Sequence, residues 1–459
     1  MTTPWKACDL RGTFPIEVSP ELFRLVGMSA ASMLPLGARV LIAGDYRHST
    51  PALKEALAGG LMASGAHVLD VGQIPTPIAY FAARRWEGDG VLIVTGSHNP
   101  PHCNGLKLML GSLPPTPQDI CELRQRTEQG PHRHARGLIE ALNPIPAYRD
   151  WILERWGMLR GSSSIPVVLD GGNGAWSELA PDIFESLGFK VRRLFCEIDG
   201  DFPSRSADSA RPASLAALKQ EVQRSEAALG IAWDGDGDRV AFVDETAAII
   251  SPDEISALLI RHVSPGNEGA RIVYDIKLSD GIRKVILECG GTPLVERSGH
   301  AFIRRRMILD RCLLGCEASG HYFFRELEGG DDGLFAALWM ADLLKRNGIP
   351  LAELRRLLPP FYVTPDLRIP VQILSFCEIT RRLRVAFNGA RESAIDGIRL
   401  ETHLGSILVR ESVTEPVITM RLEGPSQKHL SGLIMACVKV LSEVSDEIAG
   451  QISQRIEGG

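Results

Sequence analysis

The chain has 459 residues, a formal net charge of −6, 44% hydrophobic residues and 23% charged residues. That length predicts two to four domains, and the composition is ordinary for a globular enzyme. The negative charge argues against general nucleic-acid binding, and no apolar run reaches the ~18 residues that cross a bilayer, so we expect neither nucleic acid nor a membrane as a partner.

The N-terminus and the cysteines indicate the cellular compartment. The first residues, MTTPWKACDLRGTF, lack the basic and apolar segments of a secretory signal. The nine cysteines show no CxxC pair and no disulfide-like spacing, which is typical of a reducing environment. We therefore predict a cytoplasmic protein.

Strand-like apolar runs alternate with helical patterns along most of the chain. Five of these runs have glycine or aspartate at or next to their last residue: RVLIAGD (39–45), GVLIVTG (90–96), IPVVLDGG (165–172), LGIAWDGDGD (229–238) and ARIVYDI (270–276). Buried strands that end in polar loops are typical of α/β layers. Functional residues in such sheets gather at the carboxyl ends of the strands, so we expect the site there.

Three proline-containing segments predict domain boundaries: ALNPIPAY (141–148), AAIISPDE (247–254) and RRLLPPFYVTPDLRIP (355–370). The predicted domains are residues 1–143, 144–248, 249–360 and 361–459. The strand-then-loop pattern recurs in the first three, which we interpret as related α/β units. The last begins strand-rich and ends in a helix-like window, which favours a smaller α+β domain.

The first loop of chemical interest is TGSHNP (95–100), which follows a buried apolar run. Ser97 would lie in a tight turn near backbone N–H groups, a geometry suited to nucleophilic or phosphoryl chemistry. The segment is not a G-x-S-x-G elbow, because Asn99 stands two residues after the serine. Taken alone, it also fits a plain turn capped by serine and asparagine.

The second loop is DGDGDR (234–239), which we interpret as joining two strands. Its aspartates, Asp234, Asp236 and Asp238, can converge because alternate residues of an extended segment share a side. At about 6 Å and an effective dielectric of ~20, each pair would repel by roughly 2–3 kcal/mol. Carboxylates in that number favour Mg²⁺ or Ca²⁺. Arg239 stands where an EF-hand requires glycine, so the remaining alternative is a solvated acidic turn.

The third loop is CEASGHYFF (316–324), a short connection before an aromatic strand. Glu317 and Ser319 can exchange hydrogen bonds with sugar hydroxyls. His321 is expected to titrate near neutral pH and can move protons. By itself the segment also fits a capped turn with a packed histidine.

The fourth loop is RESVTEP (410–416). Arg410, Ser412 and Thr414 alternate, which places one guanidinium and two hydroxyls on one side. That set favours phosphate binding, although an exposed turn fits the segment as well.

Together and in this order, the four loops resemble the signature loops of the α-D-phosphohexomutase family, most closely its bacterial phosphomannomutase/phosphoglucomutase members. Six further stretches are similar: KACDLRG (6–12), NGLKL (104–108), VVLDGGNGA (167–175), VYDIKLS (273–279), RSGHAFIRRRM (297–307) and GGDDG (329–333). The resemblance covers nearly the whole chain. It implies an α/β fold with four domains around a central cleft, three of them related mixed-sheet domains and the fourth a smaller α+β domain.

The resemblance also implies a reaction. The chain would be an intramolecular phosphotransferase that interconverts hexose 1-phosphate and hexose 6-phosphate, of mannose or glucose. Ser97 would be the phosphoserine, and hexose 1,6-bisphosphate would be both intermediate and primer. One Mg²⁺ per chain would be held by Ser97, Asp234, Asp236 and Asp238.

Positive and proton-transferring groups follow from the same resemblance. Arg11, Lys107 and Arg239 would surround the phosphoryl group, because its transfer depends mostly on positioning and charge neutralisation. Lys107 and His321 are the candidates for proton transfer.

The substrate-binding residues are implied in the same way. Glu317 and Ser319 would bind hydroxyls 3 and 4 of the sugar, which mannose and glucose share, so we expect dual specificity. Five further residues would hold the sugar phosphate in either orientation and bind the phosphate that does not react: Lys277, His300, Arg410, Ser412 and Thr414.

Three departures from the family pattern stand out. Val413 replaces a small or turn-forming residue, and a β-branched residue resists positive φ. Glu411 adds a negative charge where Ala or Pro is usual, so we expect weaker phosphate binding. Cys316 replaces the usual glycine.

Three alternatives remain at this point. Phosphoglucosamine mutases commonly carry Ala and Gln where this chain has Gly96 and Ala318, which favours a hexose. A phosphatase of the haloacid dehalogenase type would use Asp234 as nucleophile and Asp236 as acid and base, but Asp238 stands where it carries Thr or Val. A non-catalytic sugar-phosphate-binding relative is the third. In every case we expect small-molecule hexose phosphates as ligands, and a monomer or weak homodimer.

Overall fold

Four β-sheets follow one another along the chain. The structure is a computed structural model, and it describes residues 3–130, 132–161, 165–412, 417–444, 446 and 450–451. Within these residues no helix has the length and apolar character needed to span a membrane. All nine cysteines lie in the described part, and all are free thiols.

The first sheet has six strands in the order β1-β5-β4-β2-β3-β6. Its elements are β1 (Leu10–Thr13), α1 (Pro20–Met33), β2 (Arg39–Gly44), α2 (Thr50–Ala63), β3 (His67–Gln73), α3 (Thr76–Arg85), β4 (Gly90–Val94), β5 (Cys103–Leu110), α4 (Pro117–Gln129) and β6 (Leu138–Ala141). Strand β5 runs antiparallel to β1 and β4, whereas the other pairs are parallel.

Both faces of this first sheet are covered by helices. On β2, Val40 and Ile42 belong to the core shared with α1, α2 and α4, whereas Leu41 and Ala43 belong to the core shared with α3. Successive side chains of a strand point to opposite faces, so a continuous apolar run is required. That requirement explains the unbroken run in the sequence.

The second sheet has four strands in the order β10-β9-β7-β8. Its elements are α5 (Ile145–Arg155), β7 (Pro166–Asp170), α6 (Leu179–Ser186), β8 (Lys190–Leu194), α7 (Ala216–Ser225), β9 (Leu229–Trp233) and β10 (Val240–Asp244). Strand β7 is parallel to β8 and β9, and β9 with β10 forms an antiparallel hairpin.

The third sheet has five strands in the order β12-β11-β13-β14-β15. Its elements are α8 (Pro252–Val263), β11 (Arg271–Asp275), α9 (Asp280–Glu288), β12 (Thr292–Glu296), α10 (His300–Leu309), β13 (Leu314–Cys316), β14 (Tyr322–Phe324), β15 (Gly330–Asp331), α11 (Gly333–Asn347) and α12 (Leu351–Arg356). Parallel and antiparallel pairs again occur in one sheet.

The fourth sheet is wholly antiparallel, in the order β16-β20-β19-β18-β17, and encloses a core of its own. Its elements are β16 (Leu367–Pro370), α13 (Phe376–Ala386), β17 (Arg391–Ser393), β18 (Ile398–Thr402), β19 (Gly405–Glu411), β20 (Val417–Glu423) and α14 (Gln427–Val440). Three mixed sheets and a separate α+β unit confirm the predicted fold class. The boundaries at 143, 248 and 360 stay predictions; each falls between sheets.

One structural corner recurs in the first three sheets. A buried aspartate stands at the carboxyl end of an interior parallel strand: Asp45 after β2, Asp170 in β7 and Asp275 in β11. Its Oδ1 accepts the backbone N–H two residues later, at 3.1, 2.8 and 2.9 Å respectively. This Asx turn turns the chain sharply out of the sheet, and the repetition supports the interpretation of three related units.

Candidate active site

Ser97 and the acidic loop are in direct contact. Ser97 Oγ donates a hydrogen bond to Asp234 Oδ2 at 3.0 Å. A Cβ at Gly235 would lie 2.6 Å from the Ser97 carbonyl oxygen, so glycine is required for this approach. Ser97 has φ 49°, a left-handed conformation that costs a non-glycine residue free energy and is typical of functional sites.

The turn that carries Ser97 is anchored by a buried carboxylate. Asp45 Oδ2 accepts hydrogen bonds from Thr95 Oγ1 at 2.8 Å and from the Gly96 N–H at 3.0 Å. Thr95 Oγ1 in turn accepts the Ser97 N–H at 2.8 Å. The strained turn is therefore held by the first of the three corner aspartates, which no motif in the sequence singled out.

The acidic loop connects β9 and β10, as predicted. Oxygens of Asp234, Asp236 and Asp238 lie within 4.8 Å of one another, and all three side chains are buried. Asp234 Oδ1 accepts the backbone N–H groups of Gly237 and Arg239, at 3.0 and 3.1 Å. Burial, together with the charges of Asp236 and Asp238, raises the pKa of Asp234 to about 8. The solvated-turn alternative is thereby excluded.

Lys107 supplies part of the missing positive charge. Its Nζ lies 2.7 Å from Asp236 Oδ2 and also pairs with Asp238 Oδ2. Burial opposes the charged ammonium, but Asp236 and Asp238 outweigh it and raise the pKa of Lys107. Thr76 Oγ1 donates to the same Asp236 oxygen at 2.8 Å. Lys107 and Thr76 both come from the first sheet unit, so side chains of a neighbouring domain bind the acidic loop.

The donor set of this loop fits a hard divalent cation. Asp236 Oδ1 and Asp238 Oδ1 are buried and have no hydrogen-bond partner among the described residues, and His321 Nε2 forms an ion pair with Asp238 Oδ1 at 3.3 Å. A buried carboxylate oxygen without a partner is costly. Oxygen ligands in this number are those that Mg²⁺ and Ca²⁺ prefer, so the buried acidic cluster has both the geometry and the spare acceptors of a metal site.

The third loop meets the second at His321. A backbone bridge pairs Arg239 with His321. The imidazole lies between Asp238 (3.3 Å from Nε2) and Glu317 (3.0 Å from Nδ1), with Ser319 Oγ 2.8 Å from Nδ1. Burial disfavours the imidazolium, but Asp238 and Glu317 outweigh it and raise the pKa of His321 to about 10. The expectation of near-neutral titration is therefore wrong for this arrangement.

Two arginines lie beside the two contacting loops. Arg11 donates to the Thr95 carbonyl oxygen and forms an ion pair with Asp9 at 3.0 Å. Arg239 extends from the end of the acidic loop, and its buried Nε has no hydrogen-bond partner among the described residues. Arg239 therefore retains a donor for an incoming anion.

His300 and Lys277 lie further along the cleft. His300 begins α10, and its ring centroid is 5.9 Å from that of His321. Burial, reinforced by the charges of Lys107 and His321, lowers the pKa of His300 to about 3, so it is neutral. Lys277 Nζ lies 3.4 Å from Asp366 Oδ2 of the fourth unit.

Arg410 of the fourth loop stands apart from this cluster. Its Nε donates to Asp396 Oδ2 at 2.7 Å, and the same oxygen accepts the Ser298 N–H at 3.2 Å. Within the described residues Arg410 makes no hydrogen bond or ion pair with Ser97 or the acidic loop. Ser412 donates its N–H to the Val417 carbonyl at 2.9 Å.

Val413 and Thr414 of the fourth loop lie outside the described residues. Val413 is one of the positions that depart from the family pattern. Glu411 ends β19 and is exposed. Cys316 ends β13 and is fully buried.

Three family models match the chain in sequence order. They are the phosphoglucomutase/phosphomannomutase alpha/beta/alpha domains I, II and III, at residues 5–133, 148–247 and 251–361. The phosphomannomutase/phosphoglucomutase of Pseudomonas aeruginosa is 34% identical over 431 residues, which cover 93% of this chain and 92% of that protein. The phosphoglucomutase of Neisseria gonorrhoeae is 34% identical over 432 residues, covering 92% and 93%.

A solved structure is similar over the same extent. The phosphoglucomutase/phosphomannomutase family protein from Burkholderia thailandensis superimposes with a TM-score of 0.86 at 33% identity. The match covers 96% of this chain and 97% of that one. The similarity thus includes all four sheets.

Proposed function

The chain belongs to the phosphoglucomutase/phosphomannomutase family, and we propose that it interconverts hexose 1-phosphates and hexose 6-phosphates through a phosphoserine at Ser97. It is an isomerase that acts by intramolecular phosphoryl transfer. The observation that carries the assignment of Ser97 is its hydrogen bond to Asp234 at 3.0 Å, made across two domains. A hydroxyl at a strained turn, against a buried carboxylate cluster, suits phosphoryl transfer.

The proposed reaction has two transfers. The free hydroxyl of a hexose monophosphate loses its proton and attacks the phosphorus on Ser97; the bond between Ser97 Oγ and phosphorus breaks, and Oγ takes up a proton. The resulting 1,6-bisphosphate reverses its orientation within the cleft. The Ser97 hydroxyl then loses its proton and attacks the other phosphoryl group, and the released sugar oxygen takes up a proton. Hexose 1,6-bisphosphate would also prime an unphosphorylated chain.

Positive charge supports both transfers, because the phosphoryl group in transfer carries charge on its equatorial oxygens. Arg11 and Arg239 lie beside the Ser97 turn and the acidic loop. Lys107 is fixed against two of the aspartates. These guanidinium and ammonium groups are already placed next to the two loops, and charge placed in advance is the condition for electrostatic catalysis.

One Mg²⁺ per chain is proposed at Ser97, Asp234, Asp236 and Asp238. When bound, it would neutralise the charge that develops on the phosphoryl oxygens. The spare oxygen of Asp236, Oδ1, supports this assignment.

His321 and Lys107 are proposed for the proton steps. His321 is held as an imidazolium by Asp238 and Glu317, so it can donate a proton to a departing sugar oxygen. Lys107 pairs with Asp238, as His321 does. Strand β5, which carries Lys107, is held in place by its pairing with β4.

Sugar and phosphate binding are proposed for the remaining residues. Glu317 and Ser319 would bind the hydroxyls that mannose and glucose share, so both sugars should react. Lys277 and Arg410 already face carboxylates of the fourth unit, Asp366 and Asp396. The phosphate that does not react would bind the remaining donors of Lys277 and Arg410, with His300, Ser412 and Thr414 completing the contacts.

No observation favours the aspartyl phosphatase. Both oxygens of Asp234 accept hydrogen bonds, one from Ser97 and the other from two backbone N–H groups. Hydrogen bonds to both oxygens make a carboxylate a weaker nucleophile. We also propose a cytoplasmic monomer or weak homodimer; the nine free thiols support a reducing compartment.

One assay tests the function. The purified chain is incubated with Mg²⁺, a trace of glucose 1,6-bisphosphate, and mannose, glucose or glucosamine 1-phosphate, and the 6-phosphate formed is measured. We expect turnover of the two hexoses, slower turnover of the amino sugar, and none of any sugar with Ser97→Ala at an unchanged melting temperature. Full activity of that variant would remove Ser97 from the reaction.

A further inference from the structure

Arg47 is a completely buried arginine two residues after the first corner aspartate, Asp45. An arginine carries five N–H donors, and here every one has an acceptor. Nε donates to Asp45 Oδ2 at 3.0 Å. The four Nη donors reach backbone carbonyl oxygens of Pro100 (2.5 Å), Cys103 (3.1 Å), Ser97 (2.7 Å) and Asn99 (2.6 Å).

These acceptors enclose the candidate nucleophile. Three of the four carbonyls belong to the turn 95–100, and the fourth begins β5, the strand that returns from it. The carbonyl of Ser97 itself is bound, so the peptide that follows Ser97 cannot rotate without breaking a charge-assisted hydrogen bond. The guanidinium therefore fixes the left-handed conformation of Ser97.

Gly96 is the residue that admits this guanidinium. A Cβ at position 96 would lie 2.6 Å from Arg47 Cζ and 2.7 Å from the Cys103 carbonyl oxygen, and it would also collide with Arg47 Nε. Gly96 is not among the glycines with positive φ. The reason for glycine here is thus the space filled by Arg47 and by the Cys103 carbonyl that Arg47 binds, not backbone conformation.

Arg47 also contacts the second domain. The Phe202 ring lies 5.0 Å from Arg47 Cζ. Phe202 is in turn close to the acidic loop, since its Cζ would be 3.3 Å from a Cβ at Gly235. Arg47 and the loop that holds Asp234 are therefore connected through one aromatic ring.

From these contacts we propose that Arg47 is a positioning residue for phosphoryl transfer, which sets Ser97 Oγ against Asp234, and that Gly96 is required because Arg47 occupies the space beside it. The inference rests on the proposed role of Ser97. It implies that Gly96→Ala lowers the rate by displacing Ser97, and that it lowers the rate equally for every sugar.

The first test compares Gly96→Ala with Gly59→Ala. Gly59 lies in α2, where an added Cβ would meet nothing within 4 Å and φ is not positive, so it is a matched control. Because a displacement of 1 Å in an active site can cost about 100-fold, we expect Gly96→Ala to lower kcat by about 10- to 100-fold. KM should change less than about twofold, equally for mannose and glucose 1-phosphate. Gly59→Ala should match the wild type.

The second test is a double-mutant cycle with Arg47→Ala, and with Arg47→Lys in case the first variant does not fold. The readout is the single-turnover rate at which glucose 1,6-bisphosphate phosphorylates Ser97, followed by intact mass. If the collision is partly with Arg47, the effect of Gly96→Ala should become smaller once the guanidinium is gone, and the collision with the Cys103 carbonyl oxygen should leave a residual effect. Arg47→Lys retains the charge but not the five donors, and should be slower than the wild type.

The outcomes separate the two proposals. A wild-type chain that never becomes phosphorylated on Ser97 overturns the proposed function. Normal phosphorylation of the wild type with unchanged Gly96→Ala, or additive effects of the two substitutions, overturns the positioning role of Arg47 alone. A Gly96→Ala variant that discriminates between sugars would do the same, because placement of the serine cannot depend on the sugar.

Discussion

The ammonium of Lys107 lies 2.7 Å from Asp236 Oδ2, although the two residues are 129 positions apart and belong to different sheets. Both side chains are almost fully buried. The proposed metal site and the lysine thus use the same carboxylates. Lys107 neutralises charge that Mg²⁺ would otherwise have to neutralise alone, and binding of the metal must redistribute these contacts.

Removal of divalent ions should abolish turnover without unfolding the chain. Lys107 compensates two of the three aspartates, so the acidic loop keeps its shape in EDTA. Circular dichroism should give a melting temperature within a few degrees of that in Mg²⁺, while the mutase rate falls to background and returns on adding Mg²⁺. Full activity after exhaustive chelation would contradict the metal assignment.

Lys107→Met should destabilise the protein strongly. Breaking a buried ion pair by removing one partner leaves an uncompensated charge and costs about 3–5 kcal/mol. Because Asp236 and Asp238 then depend on the metal, added Mg²⁺ should raise the melting temperature of this variant more than that of the wild type.

The matched control for that change is Lys54→Met. Lys54 also pairs with an aspartate, Asp70 at 2.6 Å, but the pair is partly exposed and lies away from the acidic loop. We expect a smaller loss of stability and the same response to Mg²⁺ as in the wild type. An equal Mg²⁺ response in all three proteins would show that Lys107 and the metal do not share ligands.

Thr76→Val should weaken metal binding. The hydroxyl of Thr76 donates to Asp236 at 2.8 Å, and loss of an outer hydrogen bond to a metal ligand typically costs about 10- to 100-fold in affinity. Calorimetric titration with Mg²⁺ measures the change directly. Thr76→Ser keeps the hydroxyl and should bind as the wild type does, whereas equal affinities of Thr76→Val and wild type would leave Thr76 with a packing role only.

Asp396→Asn should impair phosphate binding more than catalysis. The carboxylate orients Arg410 by binding only Nε, which leaves the Nη donors for a phosphate. With the weaker amide partner the guanidinium is less fixed, so KM should rise by about 10-fold while kcat changes little. The check is steady-state kinetics with glucose 1-phosphate; a fall in kcat at constant KM would place Asp396 in the chemical step instead.

Local features of the site could be predicted from the sequence. The alternation of aspartate with glycine between two apolar runs predicts an acidic hairpin loop, and β9 and β10 enclose it. TGSHNP follows a buried run and indeed stands after β4. In both cases the pattern that matters lies within ten residues, the range over which strand periodicity and turn chemistry act.

Contacts between distant segments could not be derived from the pattern. Ser97 and Asp234 are 137 positions apart, and only the resemblance to a family placed them together. His321 shows the consequence. The sequence predicts titration near neutral pH, but Asp238, which comes from another domain, raises the pKa of His321. Arg47 escaped notice because four of its five acceptors are backbone carbonyls, which leave no signature in the side-chain sequence.

The three corners formed by Asp45, Asp170 and Asp275 show which side chains can be substituted without loss of the turn. Each corner needs one carboxylate and one backbone N–H, so the side chain of the residue that supplies the N–H is free to differ: it is Arg47 in the first copy and Lys277 in the third. A substitution at this residue can therefore change the chemistry beside the strand without removing the contact that turns the chain.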